Sequence, residues 1–542
     1  MSPSCLRSGA YGCVLLFVLL FCISQQTPTV ESANILGMFT SPSPSHLIVY
    51  MSMARALAER GHNVTVVCSQ KPKVNHGKIN IILIPPTEKQ QQLQDEMIAA
   101  MATKKNNIVT TVINIFGSMH ILIDIQYEMM LDKRFTVLYE NPDTKFDLVL
   151  MGYFGNTYQI GVAAKFKCPI IVTWTSASMQ TIDELVGNPH ELAYVPNKHT
   201  SVKIGERMGF MKRVQNMLAG IFFKMFSLLS DYHMGSYYRE MFGNEKNFPT
   251  FTDMKKNVSL VFCNSHFSEG PIRPNVPALV EIGGIQIKDK PNPLPEDIAK
   301  LLNDSVKTGA ILFSLGSNVK SASVHPETVN TIFKTLSALP QNVIWKWEDL
   351  SKTPGDAPNI LYKKWMPQDD ILAHPNLKLF ITHAGKGGLA EAQYHGVPMV
   401  ALPVFGDQNT NADKMVANGY GLQANMLALT TEDLGKAIKE VLSNPIYAHN
   451  VRQFSKLYRD RPLTAKENVV FWTEYVLRHH GAQHMQSPLV HLNGIQSTNL
   501  DVIAFICLII YIFWRLVKFV FIFVCCRMCR KSKKTVQKVK RQ

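Results

Sequence analysis

Residues 365–408, WMPQDDILAHPNLKLFITHAGKGGLAEAQYHGVPMVALPVFGDQ, constrain the fold more than any other part of this chain. A short apolar run, Leu377 to Thr382, leads into a glycine-rich turn and then into a segment of helical composition. A strand that passes through such a turn into a helix is a unit of a parallel α/β sheet. The first N–H groups of that helix are unpaired and lie at the positive end of its dipole, so the turn can bind a diphosphate.

Aromatic and polar residues around this turn complete a candidate site for a nucleotide-sugar. Trp365 could stack on a base, and Glu391 could accept hydrogen bonds from ribose hydroxyls. Asp407 and Gln408 could bind a sugar. All four residues stand in this order within 44 residues, which makes the pattern specific.

This segment resembles the signature sequence of the UDP-glycosyltransferases, which also spans 44 residues from its tryptophan to its Asp-Gln pair. The likeness covers nearly the full chain in family order. It resembles the membrane-bound animal branch, with an insect-like character, more than the soluble plant branch. The other matching segments are SPSPSHLIVYMSMARALAERGHNVTVV at 41–67, GNPHELAYVP at 187–196, VEIGGIQI at 280–287 and FSLGSNV at 313–319.

The resemblance implies an α/β fold class, with two facing Rossmann-like doubly wound domains of the GT-B type and one C-terminal transmembrane helix. It implies transfer of a sugar from a UDP-sugar to a small lipophilic acceptor such as a phenol. UDP-glucose is the favoured donor and UDP-glucuronate the next. The UDP-sugar is a co-substrate, and no carboxylate cluster with metal-ligand spacing is seen, so we expect no cofactor and no required metal. Whether the chains form a homo-oligomer stays open.

His46 is the candidate general base, because it follows the first predicted strand and matches the position of the family's catalytic histidine. Histidine suits this role since its unperturbed pKa lies near neutrality. The alternative is a structural histidine at the start of a helix. A single displacement by the activated acceptor would invert the anomeric centre.

The resemblance also implies which residues hold the donor. His383, the N-terminus of the helix after it, and Ser317 would stabilise the leaving diphosphate. The remaining donor-site positions are Trp365, Gln368, Gly385, Gly387, Gly388, Glu391, Asp407 and Gln408.

The chain departs from the family where an acid usually orients the histidine. The strand FDLVLM ends at Gly152, so this carboxylate is absent. Asp124, on the preceding helix, could substitute for it, while Asp147 fits a structural role at the strand entry. Losing an orienting acid commonly costs orders of magnitude in rate. An acidic acceptor such as a phenol would depend on the acid less.

The second departure lies in the turn His383-Ala384-Gly385-Lys386-Gly387-Gly388. Relatives have a phosphate-binding serine where this chain has Gly388, although backbone N–H groups can still approach a diphosphate there. Lys386 either supplies compensating charge or points to solvent. Leu389 excludes a Walker-type loop, which needs GK[ST].

The net charge of +15 does not indicate a nucleic-acid partner. Ten Lys and Arg residues and no acid follow Asp501, so the preceding chain carries only +5. A basic tail beside an apolar segment is typical of a cytosolic anchor. No nucleic-acid-binding motif accompanies it.

The N-terminus has the features of a secretory signal peptide: Arg7, an apolar run at 14–23, and a cleavage position near Ala33. An uncleaved anchor is the alternative. A lumenal chain could be glycosylated at the sequons of Asn63, Asn257 and Asn303.

The apolar segment from Val502 to Cys526 is long enough to span a bilayer. Arg515 and Lys518 lie three residues apart and therefore on one helical face. Either their side chains reach outward to the cytosolic surface, or the span is continuous and tilted.

The basic C-terminal tail carries Lys538 and Lys540, which resemble a dilysine signal for return to the endoplasmic reticulum. The chain is therefore predicted to be a single-pass type I protein of that membrane. Its catalytic part would be lumenal and in contact with membrane lipid.

Strands and helices alternate twice along the chain, which predicts two parallel sheets. The proline-rich segment KDKPNPLPED separates them. Two methionine-rich helical segments, 88–140 and 201–248, are interpreted as walls of the acceptor pocket. Within the second, residues 217–229 either pack in the core or lie against a membrane.

The predicted boundaries are a signal peptide at 1–33, an acceptor-binding domain at 34–287, a linker at 288–297, a donor-binding domain at 298–498, an anchor at 499–526 and a cytosolic tail at 527–542.

Two other functions compete with an active transferase. One is a UDP-sugar-binding relative with weak or lost turnover, because Gly152 replaces the usual acid. The other is a membrane receptor or adhesion module, which would bind no nucleotide.

Overall fold

The computed structural model describes residues 31–73, 77–103, 108–197, 200, 202–203 and 205–539. Most of the predicted signal peptide and Lys540 of the predicted retrieval signal lie outside these residues, as does the side chain of Lys538. The chain divides after Gln486 into two compact units.

The first unit contains a seven-stranded parallel sheet. Its strands are β1 Asn34–Phe39, β2 Asn63–Cys68, β3 Ile79–Leu83, β4 Leu148–Gly152, β5 Ile170–Trp174, β6 Val258–Cys263 and β7 Leu279–Glu281. The strands are rich in Val, Ile and Leu, and most are buried on both faces, as expected for a parallel sheet covered by helices. Their order is β3-β2-β1-β4-β5-β6-β7, so the direction of winding reverses between β1 and β4.

Helices connect and cover these strands. Gly61 ends the first of them with a positive φ of 113°. The helices are α1 Pro44–Arg60, α2 Glu88–Thr103, α3 Ile108–Leu131, α4 Lys133–Glu140, α5 Gly161–Phe166, α6 Gln180–Val186, α7 Phe210–Phe242 and α8 Phe251–Lys256.

The second sheet has six parallel strands: β8 Ala310–Ser314, β9 Asn342–Lys346, β10 Ile360–Lys363, β11 Leu377–Thr382, β12 Met399–Ala401 and β13 Gly421–Gln423. Their order is β10-β9-β8-β11-β12-β13, with the reversal between β8 and β11. The prediction of two parallel α/β sheets is confirmed.

Helices that flank this sheet are α9 Glu296–Asp304, α10 Pro326–Ser337, α11 Gln368–Leu372, α12 Lys386–His395, α13 Gln408–Ala417, α14 Thr431–Ser443 and α15 Pro445–Arg459. Short 3-10 helices occupy Thr157–Ile160, Ser321–Ser323, Met426–Ala428, Gln483–Met485 and Pro488–His491.

The next helix, α16 Ala465–Arg478, returns to the first sheet. Its buried residues Val469 and Val476 belong to the hydrophobic core of that sheet. Glu474 accepts a hydrogen bond of 2.8 Å from Arg60 at the end of α1. The sequence placed this helix with the second domain, whereas its apolar face packs with the first.

The long helix α7 exposes a stripe of large apolar side chains. Its buried positions include the small or polar residues Asn216, Gly220 and Ser227. Of the two alternatives given for residues 217–229, packing in the core is therefore wrong. The exposed residues of the stripe are Phe210, Met211, Met217, Leu218, Ile221, Phe222, Met225, Leu228, Leu229 and Tyr232, each between 48% and 73% exposed.

The second unit contains α17 Gly494–Ser497 and α18 Leu500–Val539. Residues Leu500–Met528 of α18 have a mean hydropathy of 2.3 and are long and apolar enough to cross a membrane. The helix continues without a break past Arg515 and Lys518, and both alternatives for its position in a bilayer stay predictions.

Candidate active site

A cleft of about 1370 Å³ lies between the two sheets. It is lined by the loops that follow β1, β5, β8 and β11, so it includes the reversal point of each sheet. Ligands of open α/β sheets bind at such reversal points, outside the carboxyl ends of the strands. All the predicted site residues except Asp124 line this cleft.

His46 lies in the first turn of α1, directly after the loop that leaves β1. Its Nδ1 is 3.2 Å from the hydroxyl of Ser41. The ring meets Phe154 edge-to-face, with centroids 5.0 Å apart. The imidazole is thus held on one side by a hydroxyl and on another by an aromatic ring, and it lines the cleft.

Gly152, where the usual acid is missing, faces the ring of Tyr50. A Cβ at Gly152 would lie 2.6 Å from Cε2 of Tyr50. Tyr50 is fully buried, stacks on Phe39 and donates a hydrogen bond of 2.9 Å to the carbonyl of Tyr153. The tyrosine therefore fills the space that an acidic side chain at 152 would need.

Neither of the two carboxylates considered as substitutes is oriented towards His46. Asp124 is exposed and accepts a hydrogen bond of 2.5 Å from the hydroxyl of Tyr237. Gln126, two residues later on α3, is buried and contacts Thr40 at the end of β1. Because residues two apart point to different sides of a helix, Asp124 points away from the strand end. Asp147 accepts from the backbone N–H of Asn34 at 2.7 Å, a structural role.

A buried network of neutral side chains lies at the ends of β1 and β4. Thr40 Oγ1 lies 2.9 Å from Gln126 Oε1 and 3.1 Å from Gln159 Oε1. Asn156 Nδ2 donates to the Gly152 carbonyl at 3.0 Å and to Gln159 at 2.8 Å. This buried amide network fixes the loops after β1 and β4 without adding a charge.

On the donor side, Trp365 presents an indole that is 45% exposed. Lys73 of the first domain and Lys346 of β9 lie 5.3 and 5.8 Å from the ring centroid. Both distances are within the range of cation–π contacts. The indole is therefore accessible for stacking on a base in a positively charged part of the cleft.

Gln368 and Glu391 form a hydrogen-bonded pair. The Gln368 amide donates to the Glu391 carboxyl at 2.6 Å. Burial, with the nearby charge of Asp369, raises the pKa of Glu391 to about 8. The carboxyl is then largely protonated at neutral pH, and a protonated carboxyl can both donate and accept hydrogen bonds with a ribose.

His383 follows β11 and is enclosed by two glycines. A Cβ at Gly316 or at Gly385 would lie 2.4 Å from the imidazole. Gly316 also has a φ of 81°, which an L-residue with a side chain rarely adopts. Burial and then the charge of Lys346 lower the pKa of His383 to about 4, against the opposing effect of Asp407. The imidazole is neutral at physiological pH and would act as a hydrogen-bond donor.

The turn after His383 opens α12 with Gly385 as its N-cap. A Cβ at Gly388 would lie 3.4 Å from Gln368 and from Phe380, and one at Gly387 would meet nothing within 4 Å. The absence of a side chain at 388 therefore leaves space beside the turn that follows His383. Lys386 does not point freely to solvent, because its ammonium pairs with Glu269 of the first domain at 2.5 Å.

Asp407 and Gln408 stand at the start of α13. Gln408 Oε1 accepts from the backbone N–H groups of Val404 and Phe405, at 2.7 and 3.1 Å. Asp407 accepts from Asn411 at 3.0 Å. Both residues line the cleft, and Gln408 also fixes the loop that leads to it.

Sequence reasoning missed four residues of this site: Ser41, Tyr50, Lys73 and Glu269. Ser41 and Tyr50 lie close to His46 in the chain, but only the loop and helix geometry reveals their contacts. Lys73 and Glu269 reach the donor side from the other domain, and no local pattern marks them.

The chain matches the protein-family model described as UDP-glucoronosyl and UDP-glucosyl transferase over residues 38–542. It is 33% identical to UDP-glucosyltransferase 2 of Dactylopius coccus over 513 residues, which are 93% of this chain and 95% of that protein. It is 30% identical to UDP-glucuronosyltransferase 1A1 of Mus musculus over 535 residues, which are 96% of this chain and 95% of that protein.

Solved structures with a similar fold include UGT2 of Phytolacca americana complexed with UDP-2fluoro-glucose and pterostilbene. The TM-score is 0.54 at 15% identity, and the match covers 82% of this chain and 100% of that one. A UDP-glucosyltransferase from Polygonum tinctorium gives a TM-score of 0.53 at 15% identity, with 83% and 99% covered. These likenesses confirm the predicted GT-B fold class.

Proposed function

The chain belongs to the UDP-glucoronosyl and UDP-glucosyl transferase family, and we propose that it is an inverting transferase with His46 as its general base. The favoured donor is UDP-glucose, with UDP-glucuronate next, and the acceptor is a small lipophilic molecule. The observation that carries this proposal is a single cleft, at the reversal points of both sheets, lined by His46 and by the glycine-rich turn after His383.

The reaction is a single displacement. The acceptor hydroxyl gives its proton to His46, and its oxygen forms a bond to the anomeric carbon. The bond between that carbon and the diphosphate oxygen breaks, and its electron pair leaves with UDP. The developing negative charge is stabilised by the N–H groups that open α12, by the neutral imidazole of His383 and by Ser317.

The absence of the family's usual acid at Gly152 supports an acceptor with an acidic hydroxyl. A carboxylate partner would stabilise the imidazolium that forms during proton transfer. Here Ser41 lies at Nδ1 and Tyr50 fills the space of the missing acid. A phenol loses its proton more readily than an alkyl alcohol, so it depends less on a strong base. We therefore propose phenols as the acceptor class.

The test uses purified full-length chain with several UDP-sugars and a panel of phenols and sterols. Acceptor-dependent UDP release and a glycosylated product in mass spectra are expected, and His46→Ala should abolish both. Binding of UDP without product from any acceptor would favour the UDP-sugar-binding alternative. Absence of UDP binding, with no effect of Trp365→Ala on any property, would favour the receptor alternative.

We further propose that the reaction needs neither metal nor cofactor, because the positive end of the α12 dipole and a hydrogen bond from the neutral His383 can stabilise the leaving diphosphate. Activity should persist unchanged after exhaustive treatment with EDTA. A loss of activity that Mg²⁺ or Mn²⁺ restores would contradict this part of the proposal.

The proposed location is the endoplasmic reticulum membrane, with the catalytic part in the lumen. An apolar C-terminal helix supports an anchor, and the exposed stripe of α7 supports contact with lipid, because contiguous apolar patches of this extent mark interaction surfaces. The side chains of Asn63, Asn257 and Asn303 are exposed, as glycan acceptors must be. Removal of N-glycans by endoglycosidase H should lower the apparent mass if the lumenal orientation is correct.

A further inference from the structure

Among the described residues, Lys386 and Lys320 each form an ion pair with a carboxylate of the opposite domain, and the two pairs differ in burial. Lys386 pairs with Glu269, and the two side chains are 20% and 10% exposed. Lys320 pairs with Asp95, and these side chains are 53% and 46% exposed. Exposed pairs contribute little to stability and are screened by salt, so the first pair stands out by its enclosed position.

The carboxylate of Glu269 is held in place by a contact within the first domain, in addition to its ion pair with Lys386. Its carboxylate accepts from the backbone N–H of His266 at 3.1 Å. The ring of His266 contacts the tilted ring of Tyr458 on α15, with centroids 4.5 Å apart. The carboxylate is thus a rigid anchor for an ammonium group that comes from the second domain.

Lys386 is the first residue of α12, the ten-residue helix whose N-terminus opens the donor site. It lines the cleft together with Gly385, Gly387 and Gly388. An ammonium group has three N–H donors, and among the described residues Lys386 donates to Glu269. The ammonium can therefore also donate to a ligand in the cleft.

The turn also lacks a hydroxyl group. Gly388 leaves space beside the first turn of α12, with a Cβ position 3.4 Å from its nearest neighbours. An anion in this space would meet backbone N–H groups and the ammonium of Lys386. The positive charge would then replace a hydroxyl contact that a serine at 388 would provide.

We propose that Lys386 is a ligand of the donor's diphosphate, and that Glu269 of the opposite domain positions its ammonium at the opening of α12. This inference rests on the proposed function, because it assigns a role within the same donor site. It predicts that affinity for the phosphate groups, rather than for the uridine, depends on the charge of Lys386.

The experiment is isothermal titration of the full-length chain in lipid nanodiscs with UDP, UMP and uridine. Lys386→Met should weaken UDP binding about tenfold or more, as expected for loss of a charge-assisted hydrogen bond, and should leave uridine binding unchanged. Lys320→Met, which removes the exposed interdomain pair outside the cleft, should change neither.

A second variant separates the ligand role from folding. Lys386→Met alone leaves the buried Glu269 uncompensated, which is costly. The double change Lys386→Met with Glu269→Gln removes both charges, and it should still weaken UDP binding while leaving uridine binding intact. Wild-type affinity for UDP in the double variant would overturn the inference. Failure of the wild-type chain to bind UDP at all would instead overturn the proposed function.

Discussion

The contact between Gly152 and Tyr50 predicts a large cost for adding one methyl group. In Gly152→Ala the new Cβ would lie 2.6, 2.9 and 3.0 Å from three ring atoms of Tyr50. The ring cannot easily move, because it stacks on Phe39 at a centroid distance of 5.1 Å and its hydroxyl is bonded to a buried carbonyl. Overpacking of a well-packed core costs about 1–3 kcal/mol.

This cost should appear as a lower melting temperature of the purified chain. For a domain of this size, 1 kcal/mol corresponds to about 2–4 °C, so Gly152→Ala should melt roughly 2–12 °C lower by differential scanning fluorimetry. Gly387→Ala is the matched control, since its Cβ would meet nothing within 4 Å, and it should leave the melting temperature almost unchanged.

A double-mutant cycle tests the cause of the shift. Tyr50→Leu removes the ring, so Gly152→Ala should cost much less in that background, with a coupling of about 1–2 kcal/mol. Equal costs in the two backgrounds would refute the argument that Tyr50 occupies the space of the missing acid.

Three further predictions concern acid–base behaviour and the donor turn. Burial lowers the pKa values of His266 and His383 to about 4, so the unfolded chain binds more protons than the folded one between pH 6.5 and 4. Stability should therefore fall as the pH falls through this window, by up to about 1.4 kcal/mol per pH unit for each histidine. The raised pKa of Glu391 acts in the opposite direction over the same window and offsets about one histidine. Unfolding midpoints measured in urea at several pH values would test this, and a flat profile would contradict it. Ser41→Ala should lower kcat and shift the pH profile of kcat, because the Ser41 hydroxyl contacts His46. Ser41→Thr keeps this hydroxyl and should retain the wild-type kcat and pH profile. Equal effects of the two changes would exclude a positioning role for Ser41. The Gly388→Ser variant should fold normally, since the new Cβ has ordinary van der Waals distances to its neighbours. Titration should show a UDP affinity equal to or higher than that of the wild type. Weaker binding would contradict the inference that a small side chain fits at this turn.

The segments with regular patterns could be predicted from the sequence. Leu377–Thr382 has the predicted bounds, because it is a short apolar run that ends at a turn. Strands such as Val258–Cys263 were not predicted, since they follow long helical segments rather than an alternating pattern. Local periodicity therefore identified the fold class but not the full set of strands.

The candidate site was predictable where its residues lie within one motif, as in the turn after His383. The environment of His46 was not, because it depends on contacts across the fold. The sequence revealed that an acid is absent at Gly152, but only the structure shows that Tyr50 fills its space. Likewise, Asp124 was selected because it lies on a preceding helix, whereas that helix directs Gln126 towards the strand end.

The return of α16 to the first sheet affects how this enzyme can be recombined with relatives. A chimera joined at the linker, 288–297, would bring a foreign α16 against α1 and β6 of this chain. Val469 and Val476 are each fully buried there, and a mismatch at either would forfeit about 1.5–3 kcal/mol. Exchange of substrate-recognition halves therefore calls for two crossover points, with residues 465–486 inherited from the same parent as the N-terminal half.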